Sequence, residues 1–179
     1  FTSILQYLSM LLYNNQIGII TFAKPSILLI IIYYIFIYIH LYNKKITIIF
    51  ILIFFHKIIN YLDYNTQIIT LDVGQGDSTL IKYSYNKANI LIDTGGLLNS
   101  QYSISNNTLI PYFKSIGITK INYLILTHGD YDHMGEAINL VNNFKVEKVI
   151  FNCGKLNELE QDLIKVLDKK KIPYYSCIK

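Results

Sequence analysis

The sequence predicts an α/β layered domain over residues 64–179, preceded by an α-helical membrane region over residues 1–63. Three observations carry this prediction. Residues 26–42 contain no charged side chain and are almost wholly apolar. From residue 67 onward the apolar runs shorten to strand length and are separated by turns, first as a hairpin and then alternating with helix-length segments. One of those strand-like runs, residues 121–126, leads directly into two histidines and two carboxylates packed within six positions, His128, Asp130, Asp132 and His133.

Residues 1–15 carry Ile4, Leu5, Leu8, Leu11 and Leu12 at helical spacing with no charge, a segment suited to packing on or in a membrane. Residues 18–23 form a short apolar run that ends at Lys24-Pro25, and Pro25 suits the first turn of the following helix. Residues 26–42 lie at the lower limit of the roughly 17–25 residues that span a bilayer. They lack any polar face, so a bilayer fits them better than a soluble core does. The hydroxyls of Tyr33, Tyr34 and Tyr38 are expected to face other helices. A second apolar run occupies residues 46–62, weakly beyond Phe55, and is a marginal span that should return antiparallel to the first. If Lys44 and Lys45 in the connecting loop are cytoplasmic, the domain after residue 62 lies outside.

Within the domain, strands are expected at residues 67–73, 79–85 and 89–92, the last two joined by a turn at Asn86-Lys87. A helix over about 107–116 tolerates Pro111 near its start and stops at Gly117. Then come the 121–126 strand, the His/Asp loop, a helix over about 133–144, a strand over 146–151, a helix over about 156–170 and a last strand over 172–177. The face holding Ile69, Leu71, Leu80 and Leu91 should be the inner face of the first sheet.

Charge says little about partners. The net charge of +4 is mild, and all 16 basic residues are lysine, which lacks the bidentate fork of arginine. Lys82, Lys87 and Lys114 are the lysines weighed as contacts to a nucleic-acid backbone, against an ordinary solvated surface. Cys153 and Cys177, the only two cysteines, are too few for a cysteine zinc site. Each is expected to pack as a small buried hydrophobe, with a disulfide as the alternative if the domain lies outside the cytoplasm.

The spacing H-x-D-x-D-H puts His128, Asp130 and Asp132 at alternate positions of an extended loop, so that their side chains can converge, and His133 opens the next segment. Imidazole and carboxylate donors together suit zinc, manganese or iron. A helix cap at Asp130 or Asp132 would need one such residue rather than four. Asp93 ends a strand before Thr94-Gly95-Gly96, where glycine allows the backbone to come close to the site, with an Asx turn as the alternative. Asp77 closes Gly74-Gln75-Gly76, which by itself could be only a hairpin.

The stretch Thr127-His128-Gly129-Asp130-Tyr131-Asp132-His133-Met134-Gly135-Glu136 resembles the H-x-H-x-D-H metal loop of the metallo-β-lactamase superfamily, with Asp130 where the second histidine stands. Preceded by Leu71-Asp72-Val73-Gly74-Gln75-Gly76-Asp77-Ser78 and Leu91-Ile92-Asp93-Thr94-Gly95-Gly96, it resembles the C-terminal domain of ComEC-type competence proteins, membrane proteins through which bacteria take up single-stranded DNA. The resemblance runs from about residue 67 to the end. It implies the N-terminal half of an αββα sandwich and two divalent ions, manganese or zinc, in a full-length parent. His128 and Asp130 would hold one ion, and Asp132 and His133 the other. Asp132 would also be the catalytic residue that orients the attacking hydroxide, while Asp93 and Asp77 would support the ligands from behind.

The implied activity is metal-dependent phosphodiester hydrolysis. The implied partners are single-stranded DNA or its backbone, the lipid bilayer and further transmembrane helices of the parent. The implied location is the cell membrane, multi-pass, with the C-terminal domain extracytoplasmic. Two other functions fit the same residues: a membrane-tethered hydrolase of small molecules, and a non-enzymatic structural or DNA-docking module of a channel. No histidine follows His133, and Asp162 and Asp168 read as surface residues of a charged helix. The ligand set of the superfamily is therefore incomplete here, as expected of a fragment, and the chain by itself is expected to be inactive.

Overall fold

The computed structural model describes residues 2–14, 21–43, 46–96 and 102–176. Three helices come first: α1 (Thr2–Asn14), α2 (Ile27–Asn43) and α3 (Thr47–Ile58). Pro25 stands just ahead of α2 rather than inside it, and Ser26 caps the helix by accepting from the Leu29 amide at 3.2 Å. Tyr33 of α2 bonds His56 of α3 at 2.8 Å. These residues lie equally far from positions 44 and 45, so the contact between them sets the two helices antiparallel. Lys44 and Lys45 fall outside the described residues, and with them the topology expectation they carried.

The expectation of membrane-spanning helices meets a length limit. Among the described residues, no helix is long and apolar enough to cross a membrane. The 17 residues of α2 reach only about 26 Å at 1.5 Å each, against a hydrocarbon core of about 30 Å. Of the three mid-helix tyrosines, Tyr33 is engaged by His56, whereas Tyr34 and Tyr38 are each 72% exposed.

A mixed six-stranded sheet follows, in the order β1 (Gln67–Thr70), β2 (Thr79–Lys82), β3 (Asn89–Ile92), β4 (Tyr123–Ile125), β5 (Val149–Ile150) and β6 (Tyr174–Tyr175). The first three strands pair antiparallel and the last four parallel. The parallel half needs crossovers. They run through α4 (Ile110–Ser115), through the short helices α5 (Tyr131–Met134) and α6 (Ala137–Asn143), and through α7 (Glu158–Lys170). The 133–144 helix of the sequence reading is thus two helices, parted at Gly135-Glu136. The 107–116 helix begins as a π turn over Ser105–Leu109 and ends at Gly117, whose φ of 76° suits glycine. Tyr85 and Asn86, both at positive φ, turn the β2–β3 connection.

Register decides which face is buried. Leu80, Leu91, Leu124 and Val149 lie in one cross-strand row, all fully buried in a core with Leu109, Phe113, Met134, Leu140 and Leu163. Leu71 is buried in the same core, with Ile69 packed against it. The face holding Ile69, Leu71, Leu80 and Leu91 is therefore not left bare. The opposite face carries Ile68, Ile81, Ile90, Ile92, Ile125 and Ile150; Ile68 is 73% exposed and the others are half-buried. Because side chains alternate along a strand, the less covered apolar face is the one offset by one residue from that buried row.

Two further expectations change. Cys153 is exposed and disulfide-bonded rather than buried as a small hydrophobe; Cys177 lies outside the described residues. Lys82 is buried and paired with Asp63 at 3.2 Å, which removes it from the lysines available to a nucleic acid.

Candidate metal centre

Parallel pairing of β3 with β4 sets Ile92 beside Ile125, so the segments leaving both strands emerge side by side. Asp93 leaves β3, and the His/Asp loop leaves β4. The carboxyl ends of parallel strands are where α/β sheets place their sites. The Asp93 amide bonds the Ile125 carbonyl at 2.9 Å and extends the ladder by one step. Asp93 itself has a φ of 57°, a left-handed conformation that aspartate tolerates better than most residues.

The Asp93 carboxylate holds the loop at three points. It accepts from the Thr127 amide at 2.9 Å, from the Thr127 hydroxyl at 2.6 Å and from His133 Nδ1 at 3.0 Å. A carboxylate only accepts, so His133 donates from Nδ1, and the lone pair of the neutral ring stands on Nε2. Thr127 has one hydroxyl proton, spent on Asp93. Its oxygen therefore accepts from His128 Nδ1, 2.9 Å away, and His128 Nε2 is left free as well. One buried carboxylate thus fixes the tautomer of both histidines, directly for one and through Thr127 for the other.

His128, Asp132 and His133 offer donor atoms that all lie within 4.8 Å of one another. Two imidazoles and a carboxylate form an N/N/O set that fits zinc, manganese or iron. The two rings are close, with centroids 3.6 Å apart. Asp132 lies 3.6 Å from His133 Nε2, and Asp130 lies 3.7 Å from His128 Nε2. Asp130 does not join the three-residue group. It occupies the N-cap position of α5 with its side chain 72% exposed and no side-chain cap bond. His128 and Asp132 are nearly half exposed, so the cluster is open to solvent rather than closed in a pocket.

Asp77 takes part through its backbone. Its amide bonds the Asp132 carbonyl at 3.2 Å and its carbonyl accepts from Gly95 at 3.0 Å, while its side chain is exposed. The Gly74-Gln75-Gly76 turn is more than a hairpin connection. A Cβ at Gly76, whose φ is 86°, would overlap the Asp132 carbonyl, and one at Gly96 would overlap the Tyr131 carbonyl. Both glycines let backbone lie directly against the ligand loop. Thr94 completes the brace, its amide donating to the His133 carbonyl at 2.6 Å.

Thr127, Thr94 and Ser78 were not singled out from the sequence. Ser78 is buried and donates to the Asp93 carbonyl at 3.0 Å. Thr127 adjoins the motif and was legible only as the residue next to His128. Asp162 and Asp168 sit exposed on α7, as expected, and Asp162 pairs with Lys165 at 2.8 Å. Lys114 lines an apolar cavity with Phe22, Tyr33 and His56, at the junction of α2, α3 and α4.

Comparison with known proteins agrees with this geometry. Residues 71–157, which include every residue of the cluster, match the Metallo-beta-lactamase superfamily. Over those residues the chain is similar to that superfamily. It is 34% identical over 104 residues to ComE operon protein 3 of Bacillus subtilis (strain 168), covering 52% of this chain and 13% of that protein. It is 41% identical over 75 residues to Recombination protein 2 of Haemophilus influenzae, covering 42% of this chain and 9% of that protein. The resemblance to ComEC-type proteins is borne out by these matches, and the chain spans only a small part of the relatives' length.

Proposed function

We propose that this metallo-beta-lactamase superfamily domain is a divalent-metal centre acting on DNA phosphodiesters, within a membrane protein of DNA uptake. The observation that carries the reading is the convergence of His128, Asp132 and His133, with Asp93 leaving both outer imidazole nitrogens free. His128, Asp132 and His133 would hold the ion, with Asp130 beside His128. When bound, a divalent ion supplies Lewis acidity and a nucleophile at neutral pH. The chain's own residues supply placement: Asp93 and Thr127 orient the imidazoles, and Asp132, in the same loop, is set to accept a proton and orient the nucleophile.

The open cluster suits a polymer better than a small molecule, which would be enclosed in a pocket. The names of the relatives, one from the ComE operon and one from recombination, support a substrate connected with DNA. The apolar side chains exposed along α1, α2 and α3, such as Ile27 at 79% and Leu28 at 68%, support contact with a bilayer. We assign residues 1–63 to that membrane-facing region and 64–179 to the catalytic domain.

The test is uptake of end-labelled duplex DNA by cells carrying the intact protein or its Asp132→Ala variant. Loss of labelled nucleotide release in the variant is the expected result. Unchanged release and uptake would favour the non-enzymatic channel module.

A further inference from the structure

The ligand loop is also held at its middle, from the start of α7. Asn157 Nδ2 donates to the carbonyl of Gly129, between the first two members of the cluster, at 2.6 Å. Asn157 is not free to turn. It is the N-cap of α7, its side-chain oxygen accepts from the Glu160 amide at 3.0 Å, and its own amide donates to Glu160 Oε2 at 2.7 Å. This reciprocal pair is a capping box, and it leaves the Asn157 amide nitrogen directed at the loop. Glu160, only 1% exposed, is fixed in turn by Asn152 Nδ2 at 2.6 Å on its other oxygen.

Gly129 shows how close the approach is. A Cβ there would overlap the Asn157 amide and come within 2.8 Å of the Glu160 carboxyl carbon. The cap of α7 and the ligand loop are thus fitted backbone against side chain.

We infer that Asn157 is a positioning residue of the metal centre: it uses the α7 capping box to fix the path of the loop between His128 and Asp130. The inference rests on the metal-centre reading above. Asp93 fixes the far ends of the loop, at Thr127 and His133, and Asn157 fixes its middle. Outer partners of this kind typically change metal affinity by about 10–100-fold when removed.

Two variants separate capping from positioning. Asn157→Ser keeps a good, uncharged N-cap but is too short to reach Gly129, whereas Asn157→Ala removes both contacts. The full chain would be purified in detergent and followed by thermal unfolding, by amide hydrogen exchange over residues 128–131 and by titration with Mn2+ alone. For Asn157→Ser the expected result is a nearly unchanged unfolding midpoint, faster exchange in the loop and about tenfold weaker Mn2+ binding. Asn157→Ala should add a fall in the midpoint. Wild-type Mn2+ affinity in Asn157→Ser would overturn the inference while leaving the metal centre intact. A wild-type chain that takes up no Mn2+ would overturn the metal centre instead, and faster loop exchange in Asn157→Ser would then show that the clamp is real but serves no ion.

Discussion

Asp93 Oδ2 stands 3.0 Å from His133 Nδ1 across the tips of two neighbouring parallel strands. In the proposed metal centre this carboxylate orients a histidine that would hold the ion. Asp93→Asn keeps the shape and removes the charge, but an amide nitrogen turned toward His133 would donate rather than accept. The histidine would then hold its proton on Nε2, where a ligand lone pair is needed. Mn2+ affinity should fall by about 10–100-fold with little change in fold. Isothermal titration checks this, and wild-type affinity in the variant would remove Asp93 from the account.

Thr127 extends the same control to His128. Thr127→Ser retains a hydroxyl that donates to Asp93 and accepts from His128, whereas Thr127→Val retains only the shape. The serine variant should bind Mn2+ within about twofold of wild type and the valine variant about tenfold more weakly. Nitrogen chemical shifts of the His128 ring, which distinguish the tautomers, provide the direct check.

Much of this was legible in the sequence, and the limits follow from particular residues. The ligand cluster, Asp93 and the glycines announce themselves by residue type and spacing. The β3 bounds of Asn89–Ile92 follow from a short apolar run between polar punctuation. The 67–73 run overshoots because Leu71 and Val73, though buried, lie past the last paired position at Thr70. Lys82 looked like a solvated cation, and only strand register shows it turned inward toward Asp63, at the boundary with α3. Asn157 was hidden because a cap is local whereas its second partner, Gly129, is 28 positions away.

Glycine 76 gives a stability prediction with an internal control. Gly74 has a φ of 75° with nothing within 4 Å of a Cβ, so Gly74→Ala should cost about 1–2 kcal/mol from the backbone alone. Gly76→Ala carries the same backbone strain and also drives a methyl group into the Asp132 carbonyl. It should destabilise by at least about 2–3 kcal/mol and weaken Mn2+ binding as well. Urea unfolding of the two variants side by side checks the difference, and equal effects would contradict the close approach.

Asp63, where α3 meets the sheet, gives a pH dependence. Its carboxyl is held below the ordinary range, first by the Asn65 amide and then, against the opposing effect of burial, by Lys82. The unfolded chain therefore binds this proton more readily than the folded one. The resulting stability is fully present above about pH 3.9, the ordinary aspartate value, and is lost as pH falls through the lower folded value. Asp63→Asn should unfold with a shallower dependence on acid below about pH 4 than wild type. Identical acid limbs would show that the Asp63–Lys82 link contributes nothing.

In the proposed centre, His128, Asp132 and His133 hold a divalent ion together. Electron paramagnetic resonance of the full chain titrated with Mn2+, set beside His128→Ala, Asp132→Ala and His133→Ala, tests it most directly. The expected result is a saturable, protein-bound Mn2+ signal that each of the three substitutions weakens by about tenfold or more, at least the effect of losing an outer-shell partner. Asp130→Ala, which lies outside the three-residue group, should weaken it less. No bound signal, or a signal indifferent to all three substitutions, would show that these residues do not hold an ion together.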